Sequence, residues 1–373
     1  MRILARSAAV TLAAATTIAL TGACSPPEKE SEASSSGAAT ATSAADLGGM
    51  DALVAAAKKE GALNVIALPP DWANYGEIIK AFGAKYGITV NSAQPDGSSQ
   101  DEINAANQLK GQDTAPDVFD LGGAVASANT AMFAPYKVAT FDEIPAGLKD
   151  ANGAWVNDYG GYMSIGYDSA KVPAPATVDD LLKPEYKGKV ALNGDPTQAG
   201  AAFGGVQMVA VAKGGTPEDI KPGVDFFGAL KKAGNFLPVD PTPATIESGQ
   251  TPVVFDWDYL NAAQSKKLTT WKVVVPNGAV LGSYYVQAIS KDAPHPAAAR
   301  LWQEFLYSDE GQNLWLKGGA RPVRADAMQK AGTIDAGAFA ALPKVEGTPV
   351  IPTEAQSTKA KEYLTANWAK AIG

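Results

Sequence analysis

The 373-residue chain has one cysteine, Cys24, and one histidine, His295. A single thiol excludes an internal disulfide framework. With one imidazole, set in the turn Pro294-His295-Pro296, a zinc-type ligand set or a nucleophile–histidine pair is hard to assemble. No metal-ligand cluster and no internal repeat is visible, and no cofactor is expected. Positive charge is also short: 31 Lys and Arg stand against 39 Asp and Glu, for a formal charge of −8. That balance argues against nucleic acid as a partner and favours neutral or cationic ligands.

What is present begins with an address. Arg2 and Arg6 form a positive region, residues 8 to 20 an apolar one, and "LTGAC" a small-residue cleavage site. This is a secretory signal, too short and too oddly flanked for a spanning helix. Cys24 follows Gly22 and Ala23, and residues 1–24 resemble a bacterial lipoprotein signal with its lipobox, although Thr21 stands where Leu is commonest. The resemblance implies diacylation of Cys24 and a membrane anchor without a span; a plain signal peptide cut near Cys24 is the alternative. Removing Arg2 and Arg6 with the signal makes the mature chain two units more acidic. Residues 25–49 are Ser, Ala, Thr, Gly and Glu with almost no large apolar group, so a flexible tether is expected.

Beyond the tether, strands and amphipathic helices alternate. "ALNVIALP", "ITVNSAQ" and "APDVFDLGG" read as strands, separated by the helices "YGEIIKAFGAKYG" and "SQDEINAANQLKG". This is a βαβαβ pattern, the signature of a parallel sheet. "GGYMSIGYD" is extended, and "TVDDLLKPEYKGKVALNGDP" gives a helix, a turn and a strand. Helices are predicted in "QAGAAFGGVQMVAVAKG", behind Pro196 and Thr197, and in "GVDFFGALKKAG". Next come the strand "TPVVFDW", the strands "WKVVVPNG" and "SYYVQAIS", and one or two helices ended by Gly318-Gly319.

The segments "KEGALNVIALPPDWANYGEIIKAFGAKYGITV", "APDVFDLGG", "LLKPEYKGKVALNGDP", "AARLWQEFLYSDEGQNLWL" and "GGARPVR" resemble extracellular solute-binding proteins of bacterial ABC importers. The branch is similar to the spermidine/putrescine, ferric-iron, thiamine and phosphonate receptors. The resemblance implies an α/β, periplasmic-binding-protein-like fold with two α/β lobes, a hinge of crossing strands and a central ligand cleft. The crossing strands fall near 156–162 and 274–284. Lobe 1 is then 50–158 plus 284–318, and lobe 2 is 159–283 plus 319–373. Independently, open parallel sheets bind ligands at strand C-termini, and two such halves can close around one.

Those strand ends supply the candidate ligand residues. After the first strand stand Asp71, Trp72, Asn74 and Tyr75, two aromatics that are costly to leave wet; packing on the neighbouring helix is the structural alternative. Polyamine receptors carry a similar Trp-x-x-Tyr with an acid beside the Tyr, where this chain has Asn74. Ser98 and Ser99 end the second strand as ligand contacts or helix caps. Gly122 and Gly123 end the third and offer backbone N–H groups. Thr197 and Gln198 stand at a helix N-terminus, which favours a carboxylate or phosphate, and Arg321 is a further anion partner unless it sits in a structural ion pair. In "FDWDYL", Asp256 and Trp257 suit an ammonium ion, held by charge and by cation–π contact. Asp258 is either a ligand contact or a helix cap. Tyr284 and Tyr285 lie across the expected cleft and invite a ferric reading, but the iron receptors carry their tyrosine pair at a place matching 255–259.

Taken together, these features predict a lipid-anchored substrate-binding protein that captures a small solute and delivers it to an ABC permease. The expected solute is an organic amine or polyamine such as putrescine or spermidine. An anion, a zwitterion or ferric iron is the alternative within the class. The protein is expected to be a monomer on the outer face of the bacterial cytoplasmic membrane. An exported hydrolase is the distant alternative: Asp256 and Asp258 are neighbours on one strand rather than flanking walls, so no enzyme activity is expected.

Overall fold

The computed structural model describes residues 37–373; the signal, Cys24 and residues 25–36 of the expected tether lie outside the described residues. The rest of that tether departs from expectation. Ala38 and Ala41 are buried, and Arg300, itself 1 % exposed, donates to the carbonyls of Ala41 at 2.8 Å and Ala39 at 2.9 Å. A buried guanidinium needs acceptors, and alanines let this backbone come close enough to supply them.

The elements follow the predicted alternation closely. Helix α1 (Met50–Glu60) precedes β1 (Ala62–Ile66), α2 (Tyr75–Tyr86), β2 (Thr89–Ala93), α3 (Ser99–Gln108), β3 (Val118–Leu121), α4 (Gly123–Ala128) and β4 (Phe133–Ala134). Strand β5 (Val156–Asp168) leads to β6 (Val190–Leu192), α5 (Gly200–Ala212), α6 (Lys221–Ala233), α7 (Pro243–Glu247), β7 (Val253–Trp257), α8 (Asp258–Lys267) and β8 (Trp271–Val274). The chain ends with β9 (Gly282–Ser290), α9 (Pro296–Leu306), α10 (Asp309–Lys317), β10 (Arg321–Pro322), α11 (Ala325–Ala331), α12 (Ala336–Ala340) and α13 (Glu354–Ile372). The helix predicted in "TVDDLLKPEY" is two 3-10 turns, Val178–Leu182 and Pro184–Tyr186; Pro184 cannot continue an α-helix past its neighbour.

The expected three-stranded βαβαβ sheet is also modified. Strands β1 and β2 pair in parallel as a two-stranded sheet, while β3 pairs antiparallel with β9. Between β1 and β3 a single backbone bond, from the Asp117 N–H to Asn64 O at 3.0 Å, and the Asp117 side chain stand in for a ladder. Asp117 Oδ2 accepts the Asn64 N–H at 2.6 Å and faces His295 Nδ1 at 2.9 Å, which also gives the lone histidine a structural post.

The main sheet runs β3-β9-β5-β7-β6, with β4, β8 and β10 paired off this path. Residues 156–162 of β5 face β9, whereas 163–167 face β7 and residues 165–168 face β8. One strand thus joins two groups of strands. Its register shifts between Asn157 and Gly160, a bulge that re-aims Asp158 and Tyr159. Beyond it, Gly160 and Gly161 lack the side chain that would collide: a methyl group on Gly160 would meet Ser283 O, and one on Gly161 would meet Asp258 Oδ1. Among the described residues no helix is long and apolar enough to cross a membrane.

Candidate functional site

Strand β7 carries an apolar run into a polar end. Val253, Val254 and Phe255 are buried between β5 and β6. Asp256 is 8 % exposed; its Oδ1 accepts the Trp257 N–H at 2.8 Å and its Oδ2 accepts from Asn193 Nδ2 at 2.9 Å. Burial lifts its carboxyl to about 7, against the lowering effect of those bonds. Trp257 is buried with no acceptor for its indole N–H, and its ring lies over Gly204.

Asp258 departs from both roles considered for it. It is the first residue of α8, whose N-cap is Trp257, so it caps nothing. Fully buried, it accepts the Tyr162 N–H at 3.0 Å and faces Arg321 Nη2 at 3.3 Å. It therefore clamps β5 to β10. Arg321 is engaged in the same clamp: it also donates to Pro343 O at 2.9 Å and stands over the Tyr162 ring at 4.6 Å.

An aromatic cluster gathers beside Asp256. The Trp72 ring meets Tyr285 edge-on at 5.8 Å and Tyr259 at 6.0 Å, while Tyr159 stacks on Tyr285 at 5.4 Å. Trp72 Nε1 donates to the Tyr159 hydroxyl at 2.7 Å, and that hydroxyl donates to Asp120 Oδ2 at 3.1 Å. Tyr284 stands half-buried beside Tyr162, its phenol raised to about 12 by burial. Tyr75, expected at the ligand, is instead a core residue: fully buried, packed on Tyr159 and Trp315, its hydroxyl accepting from Gln287 at 2.9 Å. Asn74 adopts φ 71° and donates to Leu314 O at 2.8 Å, bolting the turn to α10. Asp71 is exposed and pairs loosely with Lys267 at 3.4 Å.

The remaining candidates are held by local bonds. Ser98 caps α3, accepting the Asp101 N–H at 3.3 Å. Ser99 Oγ takes the Gly122 N–H at 3.0 Å, so the donor expected for a ligand is already used. Gly123 opens α4 with the Glu354 carboxylate nearby. Thr197 does not cap α5, which starts later, behind Ala199. Its N–H and hydroxyl both bond Asp195 Oδ1, at 2.8 and 2.7 Å, and Gln198 bonds Thr197. The seat suggested for an anion is occupied by the chain's own carboxylate.

Sequence reasoning missed the deeper half of the site. Asp120 and Asp158 are both buried, and Asp120 Oδ1 and Asp158 Oδ2 have no hydrogen-bond partner. Burial raises Asp120 to about 7 and Asp158 well above the usual carboxylate range. Tyr159 and Tyr259 complete the aromatic cluster. The available signal was an acid inside an apolar strand, Phe119-Asp120-Leu121, which a core strand does not carry without a partner or a purpose. Among the described residues no ion pair is made by Asp120, Asp158 or Asp256, and no group of three or more His, Cys, Asp or Glu could hold a metal.

Comparison with solved structures defines the fold. Iron-bound HitA from Pseudomonas aeruginosa matches with TM-score 0.62 at 21% identity, over 84% of this chain and 99% of that one. AgtB from A. tumefaciens R10, in complex with agropinic acid, matches with TM-score 0.65 at 15% identity, over 84% and 98%. AfuA from Actinobacillus pleuropneumoniae, with fructose-6-phosphate, matches with TM-score 0.62 at 16% identity, over 83% and 98%. The fold is that of the periplasmic binding proteins. A family model for bacterial extracellular solute-binding proteins matches residues 118–341, and the chain belongs to that family.

Proposed function

We propose that this protein is the lipid-anchored receptor of an ABC importer and that its solute is a small organic cation of the amine or polyamine class. The supporting observation is electrostatic. Asp120, Asp158 and Asp256 are buried without a cation beside the rings of Trp72, Tyr159, Tyr259 and Tyr285. Carboxylates next to aromatic faces favour an ammonium ion by charge and by cation–π attraction. The groups suited to an anion are taken: Arg321 by Asp258, and the Thr197 turn by Asp195. Burial also pushes Tyr259 and Tyr285 away from the phenolate form that ferric iron prefers.

The lobes of this reading divide at β5 and β9, as 50–158 plus 284–318 and 159–283 plus 319–373, and they close over the solute like a hinge. The receptor works as a monomer, without turnover, and hands its cargo to a membrane permease. A thermal-shift screen tests the solute class. Putrescine, spermidine or choline should raise the melting temperature, while phosphonates, amino acids and ferric citrate should not. A shift with the second group alone would refute the cation reading.

A further inference from the structure

We propose that Asp120 and Asp158 form a proton-holding pair beneath the aromatic cluster, and that capture of an organic cation releases this proton. The inference rests on the cation reading above and adds its linkage to pH.

The geometry places the pair on either side of one strand. In the order β3-β9-β5, Asp120 of β3 lies opposite Gln287 of β9, and Asp158 sits in the β5 bulge beyond it. Tyr159 touches both acids. Its N–H donates to Asp158 Oδ1 at 2.6 Å and its hydroxyl to Asp120 Oδ2. The same hydroxyl accepts from Trp72, so a hydrogen-bond chain leads from the cleft aromatics to the pair. Each acid keeps one buried oxygen with no partner, so a proton can sit on either without displacing an existing hydrogen bond.

The neighbours offer no compensating charge. From α3, the buried Glu102 accepts the Asp120 N–H at 3.0 Å, and burial, with Asp120 beside it, holds its own carboxyl well above the usual range. From α2 comes the Tyr75 phenol, from β9 Gln287 and Tyr285, and from α8 Tyr259. Tyr307, after α9, is neutral as well. Of the cationic side chains on and just after β10, Arg321 is engaged by Asp258 and Arg324 by Glu143 and Asp309. Two like charges in a dry site with no counter-ion cannot both stay ionised. A ligand ammonium beside Tyr159 and Tyr285 supplies the counter-charge. One carboxyl O–H bond then breaks, the oxygen keeps the electron pair, and the proton passes to water.

The signs of the two pH effects are opposite, which makes the pair recognisable. Both acids hold protons more tightly in the folded chain than in the unfolded one. Ligand-free stability is therefore present in full below about 4 and is lost as pH rises towards about 7. Cation affinity moves the other way, rising by about tenfold per pH unit over the same window.

The test is calorimetry of putrescine binding at pH 6.5 in two buffers of different ionisation enthalpy, with melts of the ligand-free protein from pH 4.5 to 8. The expected result is release of about one proton per putrescine by the wild type and of almost none by Asp158→Asn. The variant should also melt higher than wild type at pH 8. Binding with no proton release in the wild type overturns the pair and leaves the cation reading standing. Proton release unchanged in Asp158→Asn assigns the proton to a buried carboxyl acting alone, Asp256, Glu102 or Asp120, and overturns the pair too. No binding of putrescine, spermidine or choline overturns the cation reading and, with it, the exchange. Should Asp158→Asn fail to fold, Asp120→Asn takes its place: proton release should again be almost lost, and unchanged release overturns the pair.

Discussion

At the scale of single residues, the candidate site is a set of buried carboxyls that lack a cationic partner next to rings that have each other. Asp256 is the sharpest case, because its two oxygens are bonded only by neutral donors, the Trp257 N–H and Asn193. Asp256→Ala should weaken amine binding by at least about thirtyfold in calorimetry, the lower bound for truncating one partner of a buried charge pair. Its far-ultraviolet circular dichroism should stay that of the wild type. Asp258→Ala should behave differently, losing thermal stability first, since Tyr162 N–H and Arg321 would both lose their acceptor. The two acids stand two positions apart with overlapping readings; with a helix beginning at Asp258, one side chain meets Asn193 and the other Arg321.

At the scale of elements, strand β5 positions the site. Its bulge presents Asp158 and Tyr159, and its Gly160-Gly161 step admits Tyr284 and Asp258 against the backbone. Gly161→Ala should cost about 1–3 kcal/mol in denaturant unfolding, the usual cost of overpacking, because the new methyl meets Asp258 and lies 2.7 Å from the Tyr259 ring. Gly147→Ala is the matched control, with nothing within 4 Å of the added carbon. Most strands and helices were legible from periodicity and glycine stops. The 3-10 turns at 178–186 and the missing β1–β3 ladder were not, since a proline and an aspartate side chain override the local pattern there.

At the scale of the whole molecule, distant segments settle what local composition left loose. Residues 37–43 read as tether, yet Arg300 from α9 captures their carbonyls. Arg300→Ala should destabilise the fold by about 2–4 kcal/mol, as buried acceptors lose their donor. Limited proteolysis should then cut within 37–43 faster than in the wild type. The proposed anchor belongs to this scale as well. Cys24→Ser should release the protein from the membrane fraction into the soluble extracytoplasmic fraction, read by fractionation and blotting.

The sequence by itself determined the α/β alternation, the family and the aromatic-plus-acid character of the strand ends, and it carries the proposed export signal. Those properties are local or periodic, and need only neighbours along the chain to be read. Only the tertiary structure decided which polar groups remain without partners. Asp258, Thr197, Gly122 and Tyr75 find theirs within the protein, while Asp120, Asp158 and Asp256 find no cation. The physical reason is that hydrogen bonds and desolvation depend on what lies across the fold, and a residue's chemistry does not name its neighbour.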